Sequence, residues 1–151
     1  MSQKAQIEPE DYVDKTFSAY NAEQAASYAQ HRSDPYTDRL YAIVLEHHLK
    51  AGGDMQTMLD VGCGTGEVTR SLGQHFDCAI GVDPSKEMIV QASKIGGQSK
   101  SGKPINFEVG RAECLNDLQS VGRAEVDLLV AGMAVSIYSH SLQTLLFHII
   151  V

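Results

Sequence analysis

Apolar residues change their spacing near residue 56. Upstream they fall at helical intervals. Residues 18–31 are rich in alanine, the best helix former, and predict a first helix. Asp34-Pro35 predicts the start of a second, with Asp34 as N-cap and Pro35 in the first turn. Tyr36, Leu40, Ile43, Val44 and His47 then recur at helical spacing, and Lys50 with Gly52-Gly53 closes that helix. Downstream of residue 56, short apolar runs alternate with amphipathic ones. Residues 58–61, 78–83, 105–109 and 126–131 predict strands; Glu67–Phe76, Ser85–Ile95 and Glu113–Val121 predict helices, with a flexible polar loop over 96–102. Strands about two dozen residues apart, each followed by a helix, predict an α/β fold: a Rossmann-like, doubly wound parallel sheet covered on both faces. Leu142, Leu145, Leu146, Ile149 and Ile150 add a last amphipathic helical pattern. Residues 1–16 are expected to be a flexible leader, and 17–151 one domain.

The first strand runs into a glycine-rich turn, DVGCGTG over residues 60–66, which opens a helix. Glycine there permits a sharp turn and close backbone approach to a ligand, and the helix N-terminus supplies unpaired N–H groups. Three readings fit a turn of this kind: a purely structural link, a dinucleotide site, or a site for S-adenosylmethionine (SAM). Gly62, Gly64 and Gly66 are spaced G-x-G-x-G, whereas the dinucleotide fingerprint is G-x-G-x-x-G. Asp60, two residues before the first glycine, would repel the phosphates of a dinucleotide. A carboxylate there suits the ammonium of a methionine moiety.

Residues Asp60 to Gly66 resemble the first motif of class I SAM-dependent methyltransferases. A second acid, Asp83, ends the next strand 23 residues later, and GVDPSKEM over 81–88 is similar to the family's continuation. The resemblance implies that Gly62, Cys63, Gly64, Thr65 and Gly66 cradle SAM, and that Asp83, followed by Pro84, accepts from both ribose hydroxyls. Met88 would lie against the adenine, a role suited to a thioether. After the third strand the chain reads GRAE over 110–113, so Arg111 stands where the family commonly has an acid; Ala112 is retained as a backbone contact. Ala131-Gly132 would pass the methionine end by backbone. YAQHR over 28–32 resembles a segment of small-molecule methyltransferases of the trans-aconitate and ubiquinone-biosynthesis type, which implies that Tyr28 and Arg32 close over the SAM carboxylate. The resemblance covers about residues 17–135. The implied activity is methyl transfer from SAM to a small-molecule acceptor such as an organic acid, releasing S-adenosylhomocysteine. The rival readings are a non-catalytic SAM-binding fragment and an NAD-dependent oxidoreductase, the latter disfavoured by the glycine spacing.

Composition narrows this further. Formal net charge is −7, which argues against a nucleic-acid or membrane partner bound through a broad basic face. No apolar signal core follows Met1, and the apolar tail 142–151 is about half a membrane span; a cytoplasmic location is expected. Cys63, Cys78 and Cys114 are odd in number and widely spaced, so they are expected to be reduced, and neither they nor the six histidines suggest a metal site. No residue stands out as a catalytic base; His31 and His140 are weak candidates. The resemblance implies seven strands where this sequence supplies four, so the chain reads as truncated at its C-terminal side. The alternatives are a truncated product, with Val135-Ser136 as a possible read-through of an intron start, and a short protein whose dimer covers the open sheet edge.

Overall fold

The computed structural model describes residues 20–31, 36–121 and 125–132. The predicted tail helix over 142–150, Arg32, His140, Val135 and Ser136 therefore lie outside the described residues, as do the leader and Asp34-Pro35.

Helix α1 spans Ala22–His31 and α2 spans Asp38–Lys50. At the start of α1, Asn21 and Gln24 exchange side-chain-to-backbone hydrogen bonds of 2.8 and 3.0 Å, a reciprocal capping arrangement. The expected Asp34 cap of α2 is corrected: Thr37 is the N-cap, and its carbonyl accepts from Leu40 N–H at 2.8 Å. The reason is a hydrophobic staple. Tyr36, just before the cap, meets Tyr41 edge-on at 6.1 Å between ring centres, and this sets where the chain enters the helix. The predicted C-terminus holds. Gly52 has φ +84°, its N–H reaches Leu49 O, and Gly53 N–H reaches His48 O, the paired bonds of a Schellman motif.

Beyond it come β1 (Thr57–Val61), α3 (Glu67–Gly73), β2 (Cys78–Asp83), α4 (Lys86–Ile95), β3 (Asn106–Val109), a 3-10 turn (Ala112–Asp117) and β4 (Leu128–Val130). All pairings are parallel, in the order β3-β2-β1-β4. This is the predicted doubly wound sheet. The strands expected over 105–109 and 126–131 are shorter, at Asn106–Val109 and Leu128–Val130, and two expected helices change. Helix α3 ends at Gly73 instead of Phe76, because tight turns (His75 N–H to Leu72 O, Phe76 N–H to Gly73 O) drop the fully buried Phe76 ring into the core. The helix expected over 113–121 is a 3-10 turn over 112–117, broken at Cys114; Glu108 instead holds the N–H groups of Gln119 and Ser120.

Successive strand residues point to opposite faces. Met58 and Ala79 join Tyr41, Leu72, Phe76 and Ile105 in one cluster; Leu59, Val61, Ile80 and Val82 join Ala112 and Val121 in the other. Burial on both faces explains why β1 and β2 read as nearly continuous apolar runs. The chain passes from β1 to β2 on one side and places β4 on the other. The strand order therefore reverses beside β1, and the carboxyl ends of strands at such a reversal are where open α/β sheets bind ligands.

Candidate functional site

Asp60 is the fourth residue of β1, buried beside α3. Beyond Val61 the chain turns through three left-handed glycines: Gly62 (φ +74°), Gly64 (φ +56°) and Gly66 (φ +88°). A side chain at any of them would cost about 1–2 kcal/mol in backbone strain. The turn is stitched to β2. The N–H groups of Gly62 and Cys63 donate to Val82 O at 2.7 and 3.0 Å, and Gly66 N–H closes the turn on Cys63 O at 2.9 Å. Nothing stands within 4 Å of where a Cβ on Gly64 would be, so the outer side of the turn is open to close approach.

Asp83 links this turn to the next strand end. Its Oδ2 accepts from Gly64 N–H at 2.9 Å and its Oδ1 from Ser85 N–H at 2.8 Å. Each carboxylate oxygen keeps a second acceptor site. Burial pushes the Asp83 carboxyl above its usual range, while the two backbone N–H groups pull it back. Asp60 is displaced further. It is 1% exposed, its Oδ2 accepts from Thr69 Oγ1–H at 2.6 Å, and its pKa is pushed up to about 7. Burial is the largest cause, the Thr69 bond opposes it, and the negative charges of Asp83 and Glu67 add to it. Burial and then the Asp60 and Asp83 charges also push up the Cys63 thiol, leaving it an unreactive wall residue.

The remaining expected residues fall around the same strand ends, with exceptions. Thr65 is fully buried and its hydroxyl donates to Glu67 Oε1 at 2.7 Å. Pro84 is exposed, and Met88 is buried with its N–H on the Ser85 cap hydroxyl. Ala112 follows β3 with its methyl in the core, which leaves only its backbone for a ligand. Ala131 and Gly132 follow β4; a Cβ on Gly132 would come within 3.2 Å of the Tyr36 ring. Tyr28 lies on α1, which packs against α4, and its ring meets Tyr20 edge-on. Arg111 is exposed and pairs with Glu113 at 3.6 Å. His31 is exposed at the end of α1, with its ring on Ser27 O.

Sequence reasoning missed Thr69, Arg70, Gly81 and Phe107. Thr69 was legible in principle: it sits in the first turn of the helix after the glycines, on the side facing β1. Phe107 could not be found that way, because its ring reaches the turn only through strand pairing, opposite Gly81. A Cβ on Gly66 or on Gly81 would each stand 2.7 Å from that ring.

The arrangement is a backbone cradle with three acidic side chains beside it, Glu67 and the buried Asp60 and Asp83. The nearby cation Arg70 is already engaged by Thr65 O and Glu67. Such a site favours a ligand with a cationic end and hydroxyls over one carrying phosphates. Among the described residues no group of three His, Cys, Asp or Glu side chains is placed to hold a metal ion. All three cysteines are free, and among the described residues no helix is long and apolar enough to cross a membrane.

A family model described as "Methyltransferase domain" matches residues 58–149. The chain belongs to this methyltransferase-domain family. The methyltransferase domain is 32% identical over 83 residues to the "probable S-adenosylmethionine-dependent methyltransferase CRG1" of Saccharomyces cerevisiae, a match covering 55% of this chain and 28% of that protein. It is 28% identical over 96 residues to the trans-aconitate 2-methyltransferase of Streptomyces avermitilis, covering 62% of this chain and 34% of that protein. The matched region thus spans about a third or less of these relatives. Its fold is similar to the crystal structure of a SAM-dependent methyltransferase from Clostridium acetobutylicum. There the TM-score is 0.53 at 22% identity, covering 72% of this chain and 42% of that one. The sheet order and these likenesses agree on the class I methyltransferase fold.

Proposed function

We propose that residues 17–151 form the SAM-binding domain of a methyltransferase that acts on a small-molecule acceptor. The observation that carries this is the bond from Gly64 N–H to Asp83, which locks the open glycine turn after β1 against a buried acid at the carboxyl end of β2. The residues fit the donor. The uncovered backbone at Gly64 admits its methionine moiety, and the second acceptor sites of Asp83 suit a ribose diol. Asp60, as a carboxylate, answers the ammonium. Gly62, Cys63, Thr65 and Gly66 complete the cradle, Pro84 and Met88 border the adenine, and the backbone of Ala112 bounds its edge. Ala131 and Gly132 line the methionine end, where Tyr28 and Arg32 are assigned to the carboxylate.

When bound, SAM supplies a methyl group already activated on a sulfonium. The chain's part is then to orient donor and acceptor in line and to exclude water. A base is required only for an acceptor that must lose a proton; a carboxylate acceptor requires none. An organic acid is the favoured acceptor class, in keeping with the name of the Streptomyces relative. A cytoplasmic location, no nucleic-acid or membrane partner, and a homodimer across the open sheet edge complete the reading.

Calorimetric titration with SAM and S-adenosylhomocysteine tests it, since the chain has no Trp to report binding by fluorescence. Asp83→Ala removes two charge-assisted hydrogen bonds, and binding should weaken at least about 100-fold. Asp83→Asn, which keeps an acceptor, should fall between. Parent-like binding by Asp83→Ala would show the ribose assignment to be wrong. A second reading, a SAM-binding fragment without turnover, is favoured by the short span of the match to its relatives; methylation of any acceptor by the isolated chain excludes it.

A further inference from the structure

The glycine turn has a second anchor besides Asp83. Arg70, one turn into α3, donates from Nη2 to Thr65 O at 2.8 Å and from Nη1 to Gly96 O at 3.4 Å. Glu67 Oε1 accepts the Thr65 hydroxyl at 2.7 Å and lies 3.6 Å from Arg70 Nη2, so one carboxylate steadies both partners. The arginine lies in a slot made by two glycines. A Cβ on Gly97 would stand 2.9 Å from its Cγ, and a Cβ on Gly66 would stand 2.9 Å from its Nη1. Gly96 and Gly97 have φ of +71° and +141° and form the turn that leaves α4. Arg70 therefore bridges the turn after β1 to the turn after α4.

We propose that Arg70 is a positioning residue for donor binding. It fixes the Thr65 carbonyl while Asp83 fixes the Gly64 N–H. The peptide units between them are then held ready for the ligand instead of being ordered at its expense. This rests on the reading that the turn receives SAM. The planar fork matters, because two carbonyls on different turns are served at once; a lysine ammonium offers a point charge and reaches one of them well.

The test pairs calorimetric titration with S-adenosylhomocysteine and hydrogen exchange on the full chain, for the parent, Arg70→Lys and Arg70→Gln. The expected result is an ordered loss of affinity, about threefold for Arg70→Lys and about tenfold for Arg70→Gln, the size of one charge-assisted hydrogen bond. Faster amide exchange should be confined to the two turns that Arg70 bridges, residues 62–66 and 96–98, with Leu59 and Ile80 protected as in the parent. An affinity for Arg70→Gln within twofold of the parent overturns the proposal. So does an exchange increase that spreads equally through β1 and β2, which marks a merely structural role. If Arg70→Gln fails to fold, Arg70→Lys decides alone by the same two readings. A parent chain that does not bind the nucleoside overturns the donor reading instead; the exchange comparison still reads the anchor, and turn amides that exchange alike in parent and variants overturn it.

Discussion

Asp60 is the residue on which stability and the proposed SAM binding pull in opposite directions. Burial raises its pKa from 3.8 to about 7. Across that window the folded chain holds a proton that the unfolded chain has lost. The stability Asp60 contributes is thus fully present below about pH 4 and is lost as pH rises through about 7. A cationic ligand needs the other form, the carboxylate. The ligand-free chain should therefore melt at lower temperature as pH rises from 5 to 8, and Asp60→Asn should flatten that slope and melt higher than the parent at pH 8. SAM affinity should move the opposite way, weakening toward about tenfold per unit as pH falls below 7, while Asp60→Asn binds weakly at every pH. Thermal scans and titrations at a few pH values check both halves. Parallel pH slopes for parent and Asp60→Asn would remove Asp60 as the cause.

At the scale of elements, the parts of the fold set by burial on both faces were legible. The predicted 78–83 strand coincides with β2, and the 58–61 strand matches β1 but for one residue, because isolated apolar runs beside a glycine turn or an acid have few alternatives. The helix expected over Ser85–Ile95 matches α4 but for Ser85, which is its N-cap. What long-range packing decides was not legible. The start of α2 moved to Thr37 because Tyr36 and Tyr41 meet edge-on, and the turn after β3 replaced a helix because Glu108 captures backbone N–H groups eleven and twelve residues on. At the site, the glycine turn, Asp60 and Asp83 were readable from spacing, whereas Phe107, which packs beneath the turn, was not. Gly81 gives the cleanest test of that packing. A Cβ there would stand 2.7 Å from the Phe107 ring and 3.0 Å from Cys63 Sγ, and its φ is not left-handed, so crowding acts without backbone strain. Gly81→Ala should destabilise by about 1–3 kcal/mol, and Phe107→Leu in the same chain should recover part of it. Denaturant unfolding of the two single variants and the double variant reads the coupling; strictly additive losses would mean that the ring is not what the glycine makes room for.

For the molecule as a whole, the described sheet edge at β4 is where the proposed dimer is tested. Within the described residues β4 pairs with β1 on one side and with no strand on the other, and its Leu128, Leu129 and Val130 are only half-buried, unlike their β1 partners. A strand edge with apolar residues is a template for another copy of the chain. The net charge of −7 opposes association at long range, but this repulsion is screened beyond about 10 Å at 0.1 M salt. The expected outcome is that the isolated 151-residue chain associates reversibly, more strongly at 0.5 M than at 0.02 M salt, and that its melting temperature rises with concentration because assembly favours the folded state. Sedimentation velocity across a hundredfold concentration range at the two salt strengths measures this. A monomer at every concentration, melting cooperatively at about 45–65 °C as ordinary domains do, would show that the edge of β4 is covered within the chain itself and would remove the dimer from the proposed function.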